Sequence, residues 1–190
     1  VAREEKPRIF QGGRDMMLSL AVILVMMFAV VGVTGLCSIN PEAKDNPAVH
    51  EVDAETFLTM EARSTSTPLR LPQTPEGWMP NVARRANVAG TPAAVVGWVT
   101  DKDTFIQLIQ TSLPLDDAVT GVDANYREVK RTVDVDGVEL QLHAGESGDV
   151  KDLWAADLGD IRVVLGGTAN EEDVTTLLRA TMDAQPLPTK

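Results

Sequence analysis

The sequence predicts an α+β protein. A single N-terminal transmembrane helix precedes an extracytoplasmic domain whose mostly antiparallel sheet is covered by a C-terminal helix. Three observations carry this reading. The stretch Met16–Ile39 holds no charged residue. Several short runs between residues 81 and 165 alternate apolar and polar residues, the period of a half-buried strand. Residues 168–182 place a capping signal ahead of apolar residues at helical spacing.

The apolar run comes first. A bilayer core is crossed by about 20 apolar residues in a helix, and Met16–Ile39 supplies slightly more, which leaves room for tilt. Ser19, Gly32, Thr34, Gly35 and Ser38 interrupt it. Serine and threonine hydroxyls can bond back to the preceding turn's carbonyls. Two other readings compete. A secretory signal has an apolar region of roughly 7–15 residues ending in a small-x-small site; Val33-Thr34-Gly35 offers the site, but the run is longer. A lipid anchor on Cys37 needs a small residue just before it, and Leu36 stands there. A retained helix is therefore expected, with Cys37 at its interface.

Charges flanking the run set its direction. Arg8 and Arg14 precede it, while Glu42, Asp45, Glu51, Asp53 and Glu55 follow with Lys44 among them. Positive flanks stay cytoplasmic, so the N-terminus is expected inside the plasma membrane and the C-terminal domain outside. The resulting organisation is a cytoplasmic tail at 1–15, the helix at 16–39, a linker at 40–55, the domain at 56–184 and a tail at 185–190. On a helical wheel Ala21, Val25, Phe28, Gly32 and Gly35 share one face. The two glycines would let another backbone approach closely, which suits packing against a partner helix; glycines simply tolerated in lipid are the alternative.

After the membrane, residues 38–52 are polar with prolines at 41 and 47, and His50 is expected to be solvated there. Residues 63–81 carry prolines at 68, 72, 75 and 80, which favour extended chain without donors. This segment reads either as an irregular strand along the domain's own edge or as an arm docking on a partner through Pro68, Pro72, Pro75 and Trp78. Trp78 is expected to plug the domain's core.

Strands are expected at 81–88, 93–100 and 104–111, the last two joined by the polar turn Asp101–Asp103. Residues 115–124 read as a short helix after Pro114. Residues 126–135 and 137–144 form the clearest hairpin, because Asp136-Gly137 suits the positive dihedrals of a tight turn. Residues 150–156 are ambiguous, and 160–165 form a strand ending at Gly166-Gly167. Thr168 with Glu171, or Asn170 directly, caps the last helix; Glu171, Glu172 and Asp173 suit its positive end. Val174, Leu177, Leu178 and Met182 form its apolar stripe.

Composition bounds the chemistry. The net charge is −11, and all of the negative excess follows residue 39. Such a surface repels nucleic acid and anionic headgroups; it reads as a solvated exterior or an acidic docking face. With one cysteine and two histidines, a zinc site is not expected, and no Cys-x-x-Cys-His haem motif occurs. Ser147 in "AGESG" with the neighbouring His143 is the one approach to a nucleophile and base; strand neighbours point to opposite faces, so the segment reads as a surface loop, with Glu139, Gln141 and His143 on the wet face of the 137–144 strand. Asp134 and Asp136 begin like a calcium loop but lack its other ligands. Gly166-Gly167-Thr168 precedes a helix, yet no lysine follows and three acids do, so phosphate would be repelled. Arg84-Arg85 and Lys130-Arg131 are expected in ion pairs. No catalytic residue, metal or cofactor is expected.

In order along the chain stand "LPQTPEGWMPNVARR", "GWVTDKDTFIQLIQTS", "VDGVELQL" and "VVLGGTANEEDVTTLLRATM". Together these resemble an actinobacterial family of uncharacterised extracytoplasmic domains behind one N-terminal membrane helix, over most of residues 56–184. Many members carry Trp where Leu140 stands. The resemblance implies location and no activity. The build is also similar to accessory subunits of the actinobacterial respiratory supercomplex, in which a cytochrome bcc complex joins an oxidase. The expected function is therefore a non-catalytic, membrane-anchored accessory subunit of an integral membrane complex, in contact with the bilayer and with no nucleic acid. A tethered ligand-binding or envelope-sensing module is the alternative, with a pocket expected near Trp98, Trp154 or Tyr126. An unrecognised hydrolase is a third reading.

Overall fold

The computed structural model describes residues 9–34, 50–145 and 149–190. The chain divides into two compact units, Val1–Pro47 and Ala48–Lys190. Gly35, Cys37, most of the expected linker and Ser147 lie outside the described residues.

The first unit holds helix α1 (Ile9–Thr34) of 26 residues. It starts ahead of Met16 and takes Arg14 and Asp15 into its first turns. Its candidate membrane span, Gly12–Val30, has 19 residues, or about 28 Å of helix, with Arg14 and Asp15 near its start. That length and composition suffice to cross a membrane. Ser19 Oγ donates to the carbonyl of Asp15 at 2.8 Å, so its hydroxyl is satisfied within the helix.

The second unit is α+β. Its elements are α2 (Ala54–Thr65), β1 (Met79–Val88), β2 (Thr91–Val99), β3 (Phe105–Thr111), α3 (Leu115–Gly121), β4 (Glu128–Val135), β5 (Val138–Ala144), β6 (Leu153–Asp157), β7 (Arg162–Gly167) and α4 (Glu171–Asp183). The strands form one seven-stranded sheet in the order β1-β2-β3-β7-β6-β5-β4. Every neighbouring pair runs antiparallel. Two meanders thus meet where β3 pairs β7. The β4–β5 turn has the expected dihedrals, with φ of 52° at Asp136 and 89° at Gly137.

Alternation sorts the side chains onto two faces. Ala94, Val96, Trp98, Ile106, Leu108, Leu140 and Leu165 point to one, where Leu58 and Ala62 of α2 and Leu177 and Leu178 of α4 cover them. Val95, Ile109, Ala155 and Val164 point to the other, under Ala118 and Val119 of α3. The sheet therefore carries helices on both faces, α4 being the expected cover of one. Strands β6 and β7 are buried on both sides. That is why residues 150–156 show no alternation in sequence.

Helix α2 is the element the sequence reading did not anticipate. Asp53 caps it by accepting from the Thr56 amide at 2.9 Å. Ser66, at φ 54°, ends it in the left-handed region. Its buried stripe is Ala54, Leu58, Glu61 and Ala62. A carboxylate inside the stripe breaks the apolar pattern. It is tolerated because Arg85 of β1 donates to both Glu61 oxygens, at 2.7 and 2.8 Å.

The proline-bearing segment after α2 lies as a strap over the sheet. Leu69 is 1 % exposed within the core. Arg70 is gripped through its backbone: its amide donates to Gln110 Oε1 at 2.7 Å, and its carbonyl accepts from Gln110 Nε2 at 2.8 Å. Its guanidinium donates to the Met182 and Ala184 carbonyls at 2.9 and 3.1 Å, satisfying the C-terminus of α4. It also pairs with Asp160 at 3.1 Å. The C-terminal segment joins in, since the Leu187 amide donates to the Leu69 carbonyl at 2.7 Å.

Candidate functional site

Helix α1 presents the first candidate surface. Ala21, Val25 and Phe28 lie along one side at helical spacing and are exposed within the chain. Gly32 continues that line one turn further within α1; Gly35 falls outside the described residues. The surrounding residues, Met16, Met17, Met26 and Met27 included, are equally exposed. Such an apolar cylinder is stable in hydrocarbon and not in water.

The strap is the second. Pro68 and Pro75 are half-buried and Pro72 is buried. Trp78 is partly buried against the main core, as expected of a plug. Trp98 Nε1 donates to Thr74 Oγ1 at 3.3 Å, which ties the strap to the sheet. Gln73, Thr74 and Glu76 are left exposed. Clefts of about 530 and 630 Å³ open on the two sides of residues 71–76.

A third feature is an open cleft of about 470 Å³. Trp154, Lys151, Asp152, Gly166, Gly167 and Thr168 are among its lining. Thr168 of its lining, and the polar groups at the nearby head of α4, are engaged in holding the fold. Thr168 Oγ1 accepts from the Phe105 amide at 3.0 Å. Asn170 caps α4 by accepting from the Asp173 amide at 2.9 Å. Lys102 Nζ lies 3.0 Å from Asp173 and 3.6 Å from Glu172; the hydrogen bond to Asp173 raises the Lys102 pKa above its ordinary value. Arg131 sits 5.2 Å above the Trp154 ring and pairs with Glu171, a bond that raises its pKa further. The acids at the head of α4 thus face cations of the same chain.

The three aromatics expected near a pocket are not gathered in one. Trp154 lines this cleft; Trp98 is 1 % exposed in the core, and Tyr126 is 69 % exposed. Three of the four residues in the basic doublets are ion-pair partners. Arg85 holds Glu61, Arg131 holds Glu171, and Lys130 lies 3.4 Å from Glu128. Asp134 accepts from the Gly137 amide at 3.2 Å, and Asp136 from Arg179 at 2.8 Å; both serve the hairpin and its contact with α4. Among the described residues, no group of three or more His, Cys, Asp and Glu is placed to hold a metal ion.

The structure holds buried polar residues near α3 that the sequence reading missed, and it corrects one expectation: His143, expected on the wet face of its strand, is buried. Arg127, whose side chain is 1 % exposed, pairs with Asp123 at 2.6 Å. That bond holds the Asp123 carboxyl well below the usual carboxylate range. His143 is 4 % exposed, and burial lowers its pKa. The signal available was the Asp123–Arg127 spacing, four residues apart after a short helix.

Fold and surfaces together define a class: an α+β domain behind an N-terminal helix long and apolar enough to span a bilayer. The chain belongs to a family of proteins of unknown function, DUF4245, whose model matches residues 8–181. No curated protein matches it, and no solved structure does.

Proposed function

We propose that this protein is a non-catalytic accessory subunit, anchored by α1, of a larger integral membrane complex. The observation that supports the reading is α1 itself. Its 19-residue candidate span, Gly12–Val30, is exposed all round within the chain, and the face bearing Ala21, Val25, Phe28 and Gly32 offers close approach to a second helix. The flanking charges favour a cytoplasmic N-terminus and an outward-facing domain in the plasma membrane. The resemblance to actinobacterial extracytoplasmic domains, and the similarity of build to supercomplex accessory subunits, favour the cytochrome bcc–oxidase assembly as the partner. In this reading the exposed residues of the strap, around Pro68, Pro72, Pro75 and Trp78, dock on that assembly.

Pull-down in mild detergent at native expression is expected to recover haem-containing subunits in stoichiometric amount. Replacing Gly32 and Gly35 by Leu together should cut that recovery severalfold, because two isobutyl groups hold the neighbouring helix away. Recovery of the protein alone would sink the reading. Unchanged recovery with the double variant would reduce α1 to an anchor. A tethered ligand-binding or sensing module is the second reading, favoured by the cleft beside Trp154.

A further inference from the structure

The sheet ends on β4, and the outer edge of that strand carries backbone groups without partners among the described residues. The Asp136-Gly137 turn is two residues long, with both φ positive. The flanking pair, Val135 and Val138, is therefore the hydrogen-bonded pair that closes the hairpin. Bonded pairs alternate along an antiparallel ladder. Val133 thus turns its amide and carbonyl toward Leu140, while Thr132 and Asp134 turn theirs away from the sheet. A register shift between Val129 and Arg131 interrupts the strand further on. The regular part of the edge is residues 131–135.

The opposite edge, β1, is guarded. The Val52 amide donates to the Pro80 carbonyl at 2.9 Å, and the register shifts between Pro80 and Val82. A proline, a bulge and a covering segment are ordinary devices against edge pairing. Arg84 and Arg85 also give β1 charge of one sign, which repels a copy of itself. On β4 the charges stand in opposition: Lys130 and Arg131 lie toward one end, Asp134 and Asp136 toward the other. An antiparallel copy reverses that order and sets each end against its opposite. Arg131 is held in its own chain by Glu171 and Trp154. Lys130 lies 3.4 Å from Glu128, with both side chains half exposed, so it can reach a further acid. An edge lysine discourages most strands; it favours one that presents a carboxylate opposite it.

We propose that β4 pairs antiparallel with β4 of a second copy of this chain, joining the two sheets into one across a two-fold axis at Val133. This register sets outward backbone groups against outward backbone groups within the regular stretch. Thr132 exchanges backbone hydrogen bonds with Asp134 of the second copy, and Asp134 with its Thr132. The Thr132 hydroxyl faces the Asp134 carboxylate across the axis and donates to it. Val133 meets its own copy in a non-hydrogen-bonded position, and Lys130 comes opposite Asp136. The patch is self-complementary, so the contact is isologous and closes at two chains. Pairing β4 with β1 of another copy would leave open ends and grow a filament. The dimer does not depend on the accessory-subunit reading, since it uses neither α1 nor the strap.

Disulfide trapping of the full chain in native membranes tests it, on a Cys37→Ser background. Val133→Cys places two thiols across the axis, where facing Cα atoms lie about 4.5 Å apart, within the reach of a disulfide. Mild oxidation should convert most of this variant to a covalent dimer, while Arg84→Cys on β1 stays monomeric. Thr132→Pro removes an outward amide that takes no part in the ladder with β5, a place where an edge strand tolerates proline. It should cut trapping through Val133→Cys about fivefold or more. Lys130→Glu, an exposed change that leaves the backbone intact, sets like charges against Asp136 and should cut it in the same direction. Trapping of Val133→Cys no greater than that of Arg84→Cys would overturn the pairing. So would trapping undiminished in both Thr132→Pro and Lys130→Glu. Capture of a different polypeptide in place of the copy would overturn it as well, and would assign the edge to a foreign strand.

Discussion

Gly167→Ala is expected to cost the domain about 4 kcal/mol or more, a large share of the roughly 5–15 kcal/mol by which domains are usually stable. Gly167 ends β7 opposite Ile106 of β3, with φ at 147°, a region that L side chains rarely enter. An added Cβ would collide with the Phe105 carbonyl. That oxygen is fixed, because it accepts from the amides of Thr168 and Ala169 at 2.8 and 3.2 Å. The Phe105 amide in turn donates to Thr168 Oγ1 at 3.0 Å. The clash therefore falls on backbone in the middle of the sheet, where the meanders join and the chain turns into α4. Gly166→Ala is the control. Its Cβ would meet Leu153 Cδ2, the end of a side chain that can rotate, at about 1–2 kcal/mol. Urea denaturation followed by tryptophan fluorescence separates the two. A Gly167→Ala variant within 1 kcal/mol of the parent would show that the turn adapts. In this account the glycine pair serves strand pairing and the turn into α4 rather than an anion.

How far the fold was legible follows from where its physics is local. The β4–β5 hairpin could be read because Asp136-Gly137 fixes the turn and one face of β5 alternates. Helix α4 could be read because its cap, its acids and its stripe are consecutive in sequence. Helix α2 could not, because Glu61 interrupts the stripe and the Arg85 that neutralises it lies on another element. Strand β6 stayed ambiguous because two layers of helix bury both its faces. The polar cluster beside α3 was hidden for the same reason. Whether His143 is a surface residue or a buried one depends on β6, which pairs with β5 only after folding. On α1, by contrast, composition was enough to mark a helix long and apolar enough to cross a membrane.

Gln110→Leu is expected to destabilise the domain by about 2–4 kcal/mol and lower its melting temperature by roughly 10 °C. Gln110 sits on β3 with 1 % of its surface exposed, opposite Ala94 and Val163 and beneath the strap. Its amide closes both hydrogen bonds to the Arg70 backbone. Leucine fills nearly the same volume, so little cavity forms. It strands a backbone donor and an acceptor away from water, at about 1–3 kcal/mol each. The consequence spreads along the chain, because Arg70 also satisfies the end of α4 through the Met182 and Ala184 carbonyls, and Leu69 holds Leu187. Limited proteolysis should therefore open both the strap and the C-terminal segment in this variant, and neither in Arg70→Lys to the same extent. Arg70→Lys keeps the backbone pairing with Gln110 and loses only the forked contact to Asp160 and the carbonyls. If the proposed partner complex is recovered with the natural sequence, its loss in Gln110→Leu, at a temperature where the domain stays folded, would place a docking contact on the strap. Retained partner binding with a loosened strap would assign the segment to the domain's own cohesion and leave α1 as the surface that selects the partner.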